Sequence, residues 1–145
     1  DPFGRETVTF VRTFAFPDRP SRFDATMVLD DGRVLDYLGT HQHLAVPLKL
    51  GTDGAGGLIL RSDAQWFFEG RAGFSFPMFF SGRAEVWERW DEAAECFRIQ
   101  LRVRHERSGF LFGYRGWFRL EAIRADDAPP RPKPLRHAPR VPPRR

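Results

Sequence analysis

The stretch from Cys96 to Ala122 constrains the fold most, because it alternates apolar and polar residues through two runs joined by a turn. Phe97, Ile99, Leu101 and Val103 interleave with Arg98, Gln100, Arg102 and Arg104. That period of two puts the apolar groups on one face of a strand, whereas a helix would scatter them. The polar turn Glu106-Arg107-Ser108-Gly109 ends the first run, and Phe110, Phe112, Tyr114, Phe118 and Leu120 continue the apolar side in the second. Setting His105 opposite Phe110 pairs Val103 with Phe112, Leu101 with Tyr114, Ile99 with Gly116 and Phe97 with Phe118. The other face then sets Arg98 against Trp117, a guanidinium-indole contact worth roughly 0.5–1 kcal/mol when exposed. A slip of one residue would turn both faces over.

The same reading extends along the chain. Glu6 to Phe16 forms a first strand whose apolar face is interrupted by Arg12, and Pro17-Asp18-Arg19-Pro20 breaks it. Phe23, Ala25, Met27 and Leu29 alternate up to Asp30-Asp31-Gly32, a strong hairpin turn, and Val34 to Leu38 returns. Leu44, Val46, Leu48 and Leu50 suit a strand with Pro47 near an edge. A loop from Gly51 to Gly57 with four glycines follows, then the strand-like Leu58 to Ser62. That loop opens no helix and holds no Gly-Lys-Ser/Thr, so it reads as a hairpin loop and not as a phosphate cradle. Trp66-Phe67-Phe68 and Phe74 to Phe80 are dense in rings, and Ser81 to Trp90 leads into the final hairpin through Asp91-Glu92-Ala93-Ala94-Glu95. The expectation is an all-β fold, an antiparallel meander of about eight or nine strands forming a strongly curved sheet or half-open barrel.

Charge separates the chain into two parts. Residues 124–145 carry seven Lys or Arg against two Asp, net +5, which leaves residues 1–123 with 16 basic and 17 acidic groups, net −1. The expected organisation is a single β domain over 1–123 followed by a disordered, basic, Pro-rich tail over 124–145, whose seven prolines deny it helix and sheet. A tail with spread charges and no aromatic residue is a weak nucleic-acid signal, so nucleic acid is not the expected partner. The 15 phenylalanines suit a packed sheet interior or a ring-lined cavity. A lone cysteine, Cys96, cannot form an internal disulfide, and no apolar run is long enough for a signal segment or a membrane span. A soluble, cytoplasmic setting is therefore expected. A start at Asp1, without methionine and almost directly into a strand, suggests that N-terminal material is missing.

Phe23-Asp24 with Met27, Tyr37-Leu38-Gly39, Leu58 to Ser62, then Val86, Glu88 and Asp91 make one combination of residues along the chain. Together with Phe97-x-Ile99 and Gly109-x-x-Phe112-x-Tyr114-x-Gly116-x-Phe118, this set resembles the bacterial domain of unknown function 4166 family over roughly residues 5–122. The resemblance implies a soluble bacterial domain, sometimes fused behind a dinucleotide-binding region similar to saccharopine dehydrogenase; no activity is established for such domains, so the resemblance brings no catalytic residues to carry over. The family's usual N-terminal segment is absent here and the Pro/Arg tail is extra.

The residues themselves offer little chemistry. His41 and His43 share a strand face but lack a third ligand in the neighbouring sequence, so no metal site is assigned. Cys96 lies beside Glu95, an anionic neighbour that disfavours a thiolate, and Ser62 in Arg61-Ser62-Asp63 has no histidine base. No catalytic residue and no cofactor is expected. Glu88 stands out: pairing Trp90 with Phe97 sets Glu88 opposite Ile99 on the apolar side, and His105 and Tyr114 project from that face. The reading is a non-catalytic module that binds an apolar or amphipathic small molecule in an aromatic-lined interior, anchored by Glu88, His105 and Tyr114. The alternative is an accessory or interaction domain of a dinucleotide-dependent oxidoreductase-like protein, as fusion or partner.

Overall fold

The computed structural model describes residues 5–39, 42–69, 72–76, 82–122 and 124. His41, residues 77–81 of the ring-rich stretch and residues 125–145 of the expected tail lie outside the described residues. Every strand pairing is antiparallel and no described residue is helical, so the all-β antiparallel class is the one the alternation predicts. The strands run in the order β1 (Thr7–Phe10), β2 (Thr13–Ala15), β3 (Pro20–Arg22), β4 (Ala25–Asp30), β5 (Arg33–Leu38) and β6 (Leu44–Thr52). They continue as β7 (Leu58–Ser62), β8 (Gln65–Glu69), β9 (Ala72–Phe76), β10 (Arg83–Asp91), β11 (Cys96–His105) and β12 (Gly109–Phe118).

Two compact units divide these strands, one from residues 5–48 and 64–76 and one from residues 49–63 and the described chain beyond 82. In the first, β1-β4-β5-β6 are neighbours, β8 pairs β6, and β9 pairs β8. In the second the order is β6-β7-β10-β11-β12, the last four residues of β6 belonging here.

The first unit has a packed core. Val28, Leu35, Tyr37 and Ala45 are buried together, with Phe68 of β8 packed on them. Thr26 shares their side of β4 and its hydroxyl accepts from the Gln42 amide at 3.3 Å, which satisfies a buried polar group. Here the structure departs from the apolar set Phe23, Ala25, Met27 and Leu29. The row of β4 that joins the cluster is the interleaved one through Val28, while in the expected row Ala25 is buried at 2% and Leu29 is 44% exposed. The Asp31-Gly32 turn is the expected two-residue hairpin, with φ of 47° and 72°, both left-handed as a type I′ turn requires.

The expected first strand, Glu6 to Phe16, is two strands. β1 pairs β4, whereas β2 pairs β3 in a separate two-stranded sheet. The break falls at Arg12, which exchanges bonds with Phe23: the Phe23 amide donates to the Arg12 carbonyl at 2.9 Å, and Arg12 Nε donates to the Phe23 carbonyl at 3.2 Å. The guanidinium lies 5.0 Å from the Phe23 ring and 5.6 Å from that of Phe10. Arg12 thus joins the two short strands to the start of β4.

In the second unit the expected register holds from Phe97↔Phe118 to Val103↔Phe112, including Trp90↔Phe97 and Glu88↔Ile99. It fails at the tip. A β-bulge follows Val103, so Arg104 faces Phe110 and His105 faces Gly109, with Leu111 as the extra residue. Phe110 therefore moves to the arginine side. The expected Arg98 stack on Trp117 is replaced: Arg98 pairs with Asp91 at 2.9 Å, and Arg119 lies over Trp117 at 5.4 Å.

Candidate ligand-binding face

One face of β7, β10, β11 and β12 carries Leu58 and Leu60, then Val86, Glu88 and Trp90, then Phe97, Ile99, Leu101 and Val103, then Phe112, Tyr114 and Phe118. Leu60 is buried at 8%, but Leu58, Phe112 and Trp90 are 36%, 42% and 43% exposed, so the face is only partly covered. Ring contacts order one end of it: Phe97 meets Trp90 edge-on at 5.0 Å and stacks on Phe118 at 5.2 Å.

Glu88 sits in the middle of this face, with Leu58 on one side and Ile99 on the other. It is half-buried, no group among the described residues pairs with it, and burial raises the pKa of its carboxyl. The carboxyl is poised to accept a hydrogen bond that no group among the described residues supplies.

The other two expected site residues stand apart. Tyr114 faces Leu101, one row along and two strands over, about 12 Å from Glu88 by strand spacing, and its ring lies 6.1 Å from that of Phe112. His105 is six residues beyond Ile99 on β11, about 20 Å away. Its Nδ1 accepts from the amides of Arg107 and Ser108, both at 3.2 Å, and contacts Ser108 Oγ at 3.0 Å, which makes it a turn residue.

Other sequence candidates have structural partners. Ser62 Oγ accepts from the Ala84 amide at 2.7 Å, tying β7 to β10. Cys96 is buried. His43 packs edge-on against Phe67 at 5.7 Å, and among the described residues no three metal-ligating side chains gather. In the loop after β6, the Asp53 carboxylate accepts from the Ala55 and Gly57 amides, both at 2.8 Å. Those bonds lower its pKa and occupy the amides that a phosphate would need.

Sequence reasoning missed Asp36. It lies on β5 between Met27 and Val46, and its Oδ1 is buried with no hydrogen-bond partner among the described residues. Burial pushes its pKa up to about 6, against the pull of Arg12. The signal was present in the alternation of Val34, Asp36 and Leu38, where one acid replaces an apolar residue.

These features define an all-β antiparallel protein with a buried core in one unit and, in the other, a partly open apolar face holding a carboxylate that pairs with no group among the described residues. The chain belongs to the domain of unknown function family DUF4166, which matches residues 1–118. It is 34% identical over 112 residues to the uncharacterized protein YndH of Bacillus subtilis (strain 168), a match covering 76% of this chain and 55% of that protein. The chain thus spans about half the length of this curated relative. No solved structure matches it.

Proposed function

We propose that the domain is a non-catalytic binding module that holds an apolar or amphipathic small molecule against the open face of β7, β10, β11 and β12. The supporting observation is Glu88, a half-buried carboxylate without a partner among the described residues, ringed by Leu58, Val86 and Ile99. A ligand whose apolar body covers those side chains and whose hydroxyl or amine donates to Glu88 compensates the carboxylate for lost water. Tyr114 borders the site, and His105 lies outside the anchor. A second reading, docking of a protein partner such as an oxidoreductase-like domain, draws on the exposure of Leu58, Phe112 and Trp90 on the same face.

Native mass spectrometry of the gently purified chain, compared with its denatured mass, tests this. A discrete added mass is expected, with retention about tenfold weaker in Glu88→Gln and unchanged in Glu92→Gln, a turn residue away from the face. A bare chain would favour the protein-partner reading. Equal retention in the two variants would remove Glu88 as the anchor.

A further inference from the structure

The near-neutral balance of residues 1–123 conceals a sorting that the strand register exposes. On the face opposite Glu88, β10, β11 and β12 form four rows. These are Arg83, Arg104 and Phe110; Glu85, Arg102 and Gly113; Trp87, Gln100 and Arg115; and Arg89, Arg98 and Trp117. Arg61 of β7 lies beside Glu85. All seven arginines on this face are exposed, and the carboxylates sharing it are Glu85 and Asp91. Arg61 bonds Glu85 at 2.6 Å, Arg98 bonds Asp91 at 2.9 Å, and Arg83 bonds Glu106 of the turn at 3.1 Å. Arg104 and Arg115 form no ion pair among the described residues, and Arg89 acts on the exposed Asp53 carboxylate of the β6-β7 loop through charge alone, without a direct ion pair. Rings lie among these charges. Phe110 and Trp117 are 61% and 60% exposed, Arg102 lies over Trp87 at 5.6 Å, and Arg119 lies over Trp117 at 5.4 Å.

We propose that this face binds single-stranded nucleic acid, with Arg89, Arg104 and Arg115 on the phosphates and bases stacking on Phe110, Trp117 and the Arg102-Trp87 pair. Guanidinium groups alone would suit any polyanion. Exposed rings interleaved with them at strand spacing suit a strand whose bases are unstacked, because every base has a π face to offer. A duplex hides those faces. Trp87 and Trp117 are two strands and two residues apart, about 12 Å, a distance that a short single strand crosses in a couple of nucleotides. The bulge at Val103/Arg104 matters here, because it turns Phe110 onto this side, over the gap left by Gly113. A Cβ on Gly113 would come 3.2 Å from the Phe110 ring. The face is separate from the one holding Glu88, so the two proposals fail independently.

Fluorescence anisotropy with a labelled oligothymidylate of about twelve nucleotides, between about 50 and 200 mM salt, tests the assignment. Binding is expected, with a log-log salt slope near −2, about 0.7 for each of three phosphates. Arg89→Glu with Arg115→Glu should weaken it more than about tenfold and flatten the slope. Trp117→Ala should weaken it by about fivefold or more at an unchanged slope, and Trp117→Phe should restore most of it. Absence of binding overturns the proposal. Affinity that survives all these substitutions belongs to the basic C-terminal segment and overturns it too. So does equal affinity for a duplex of the same length, or binding that these residues support only for vesicles of anionic phospholipid. If the double arginine variant does not fold, the Trp117→Ala and Trp117→Phe pair decides.

Discussion

The two units are built from the same parts and differ in how much they bury. In both, antiparallel strands joined by short turns carry one acid in an apolar row: Asp36 between Met27 and Val46, on the side of β5 opposite Leu35 and Tyr37, and Glu88 on β10. In the first unit Ala25, Val28, Leu35, Tyr37, Ala45 and Val46 are all at 3% exposure or less. In the second, among the described hydrophobic side chains, only Leu60 at 8% and Cys96 at 3% are buried. The lesson is that alternation guarantees an apolar face without guaranteeing that anything covers it. Stability then concentrates in the first unit, and freedom to bind in the second.

The largest effect should come from Leu35→Ala, which removes a fully buried side chain at the centre of the packed cluster and should cost about 2–5 kcal/mol. Ile99→Ala removes a side chain from the partly open face and should cost about 1 kcal/mol, because water already reaches part of it. Chemical denaturation of both variants measures the difference. Equal costs would mean that the second unit's face is covered in solution and that the contrast is unsound.

The two acids sharpen the contrast through pH. For Asp36 the ordinary value of 3.8 applies when the chain is unfolded, and about 6 applies when it is folded. Between those values the native state holds the extra proton, so this group lowers stability as pH rises from about 4 to about 6, and its penalty is complete above that. Asp36→Asn should therefore stabilise the protein at pH 7 by up to about 3 kcal/mol, with the gain vanishing near pH 4. Denaturant titrations of both proteins across that range check it; parallel curves would show that Asp36 carries no burial penalty. Glu88→Gln should shift stability in the same direction by well under 1 kcal/mol, about the scale of solvent-screened charges, since half of its side chain remains in water.

Much of this architecture was legible from periodicity, and the failures have a common cause. The β10-β11-β12 register, the Asp31-Gly32 turn and the place of Glu88 follow from a period of two with clean partners. Phe110 was misplaced because a bulge inserts one residue without changing the composition of the run. The core row of β4 was obscured because Thr26 is polar by type and buried by virtue of its bond to Gln42. Asp36 was overlooked because a five-residue alternation with one acid resembles an exposed strand until its neighbours Met27 and Val46 are known. Arg12, by contrast, was visible as an interruption, and it marks the point where the chain changes partners. The arginine face was readable as a pattern along one strand, while its breadth needed three strands in register.

The smallest effect separates packing from charge in the second unit. Arg61 and Glu85 meet at 2.6 Å across β7 and β10, an attractive distance on paper, yet the arginine side chain is 61% exposed. An ion pair so open to water exchanges solvation for attraction at nearly equal value, so Glu85→Gln should change stability by about 0.5 kcal/mol or less. Salt should matter little as well. The ladder hydrogen bonds between β7 and β10 do not depend on the side-chain charge, and Ser62 Oγ still receives the Ala84 amide beside it. A denaturation midpoint in Glu85→Gln that falls further than in Ile99→Ala would invert this ranking. The second unit would then be held by its charged surface, and the arginine face would owe its sorting to folding and not to a ligand.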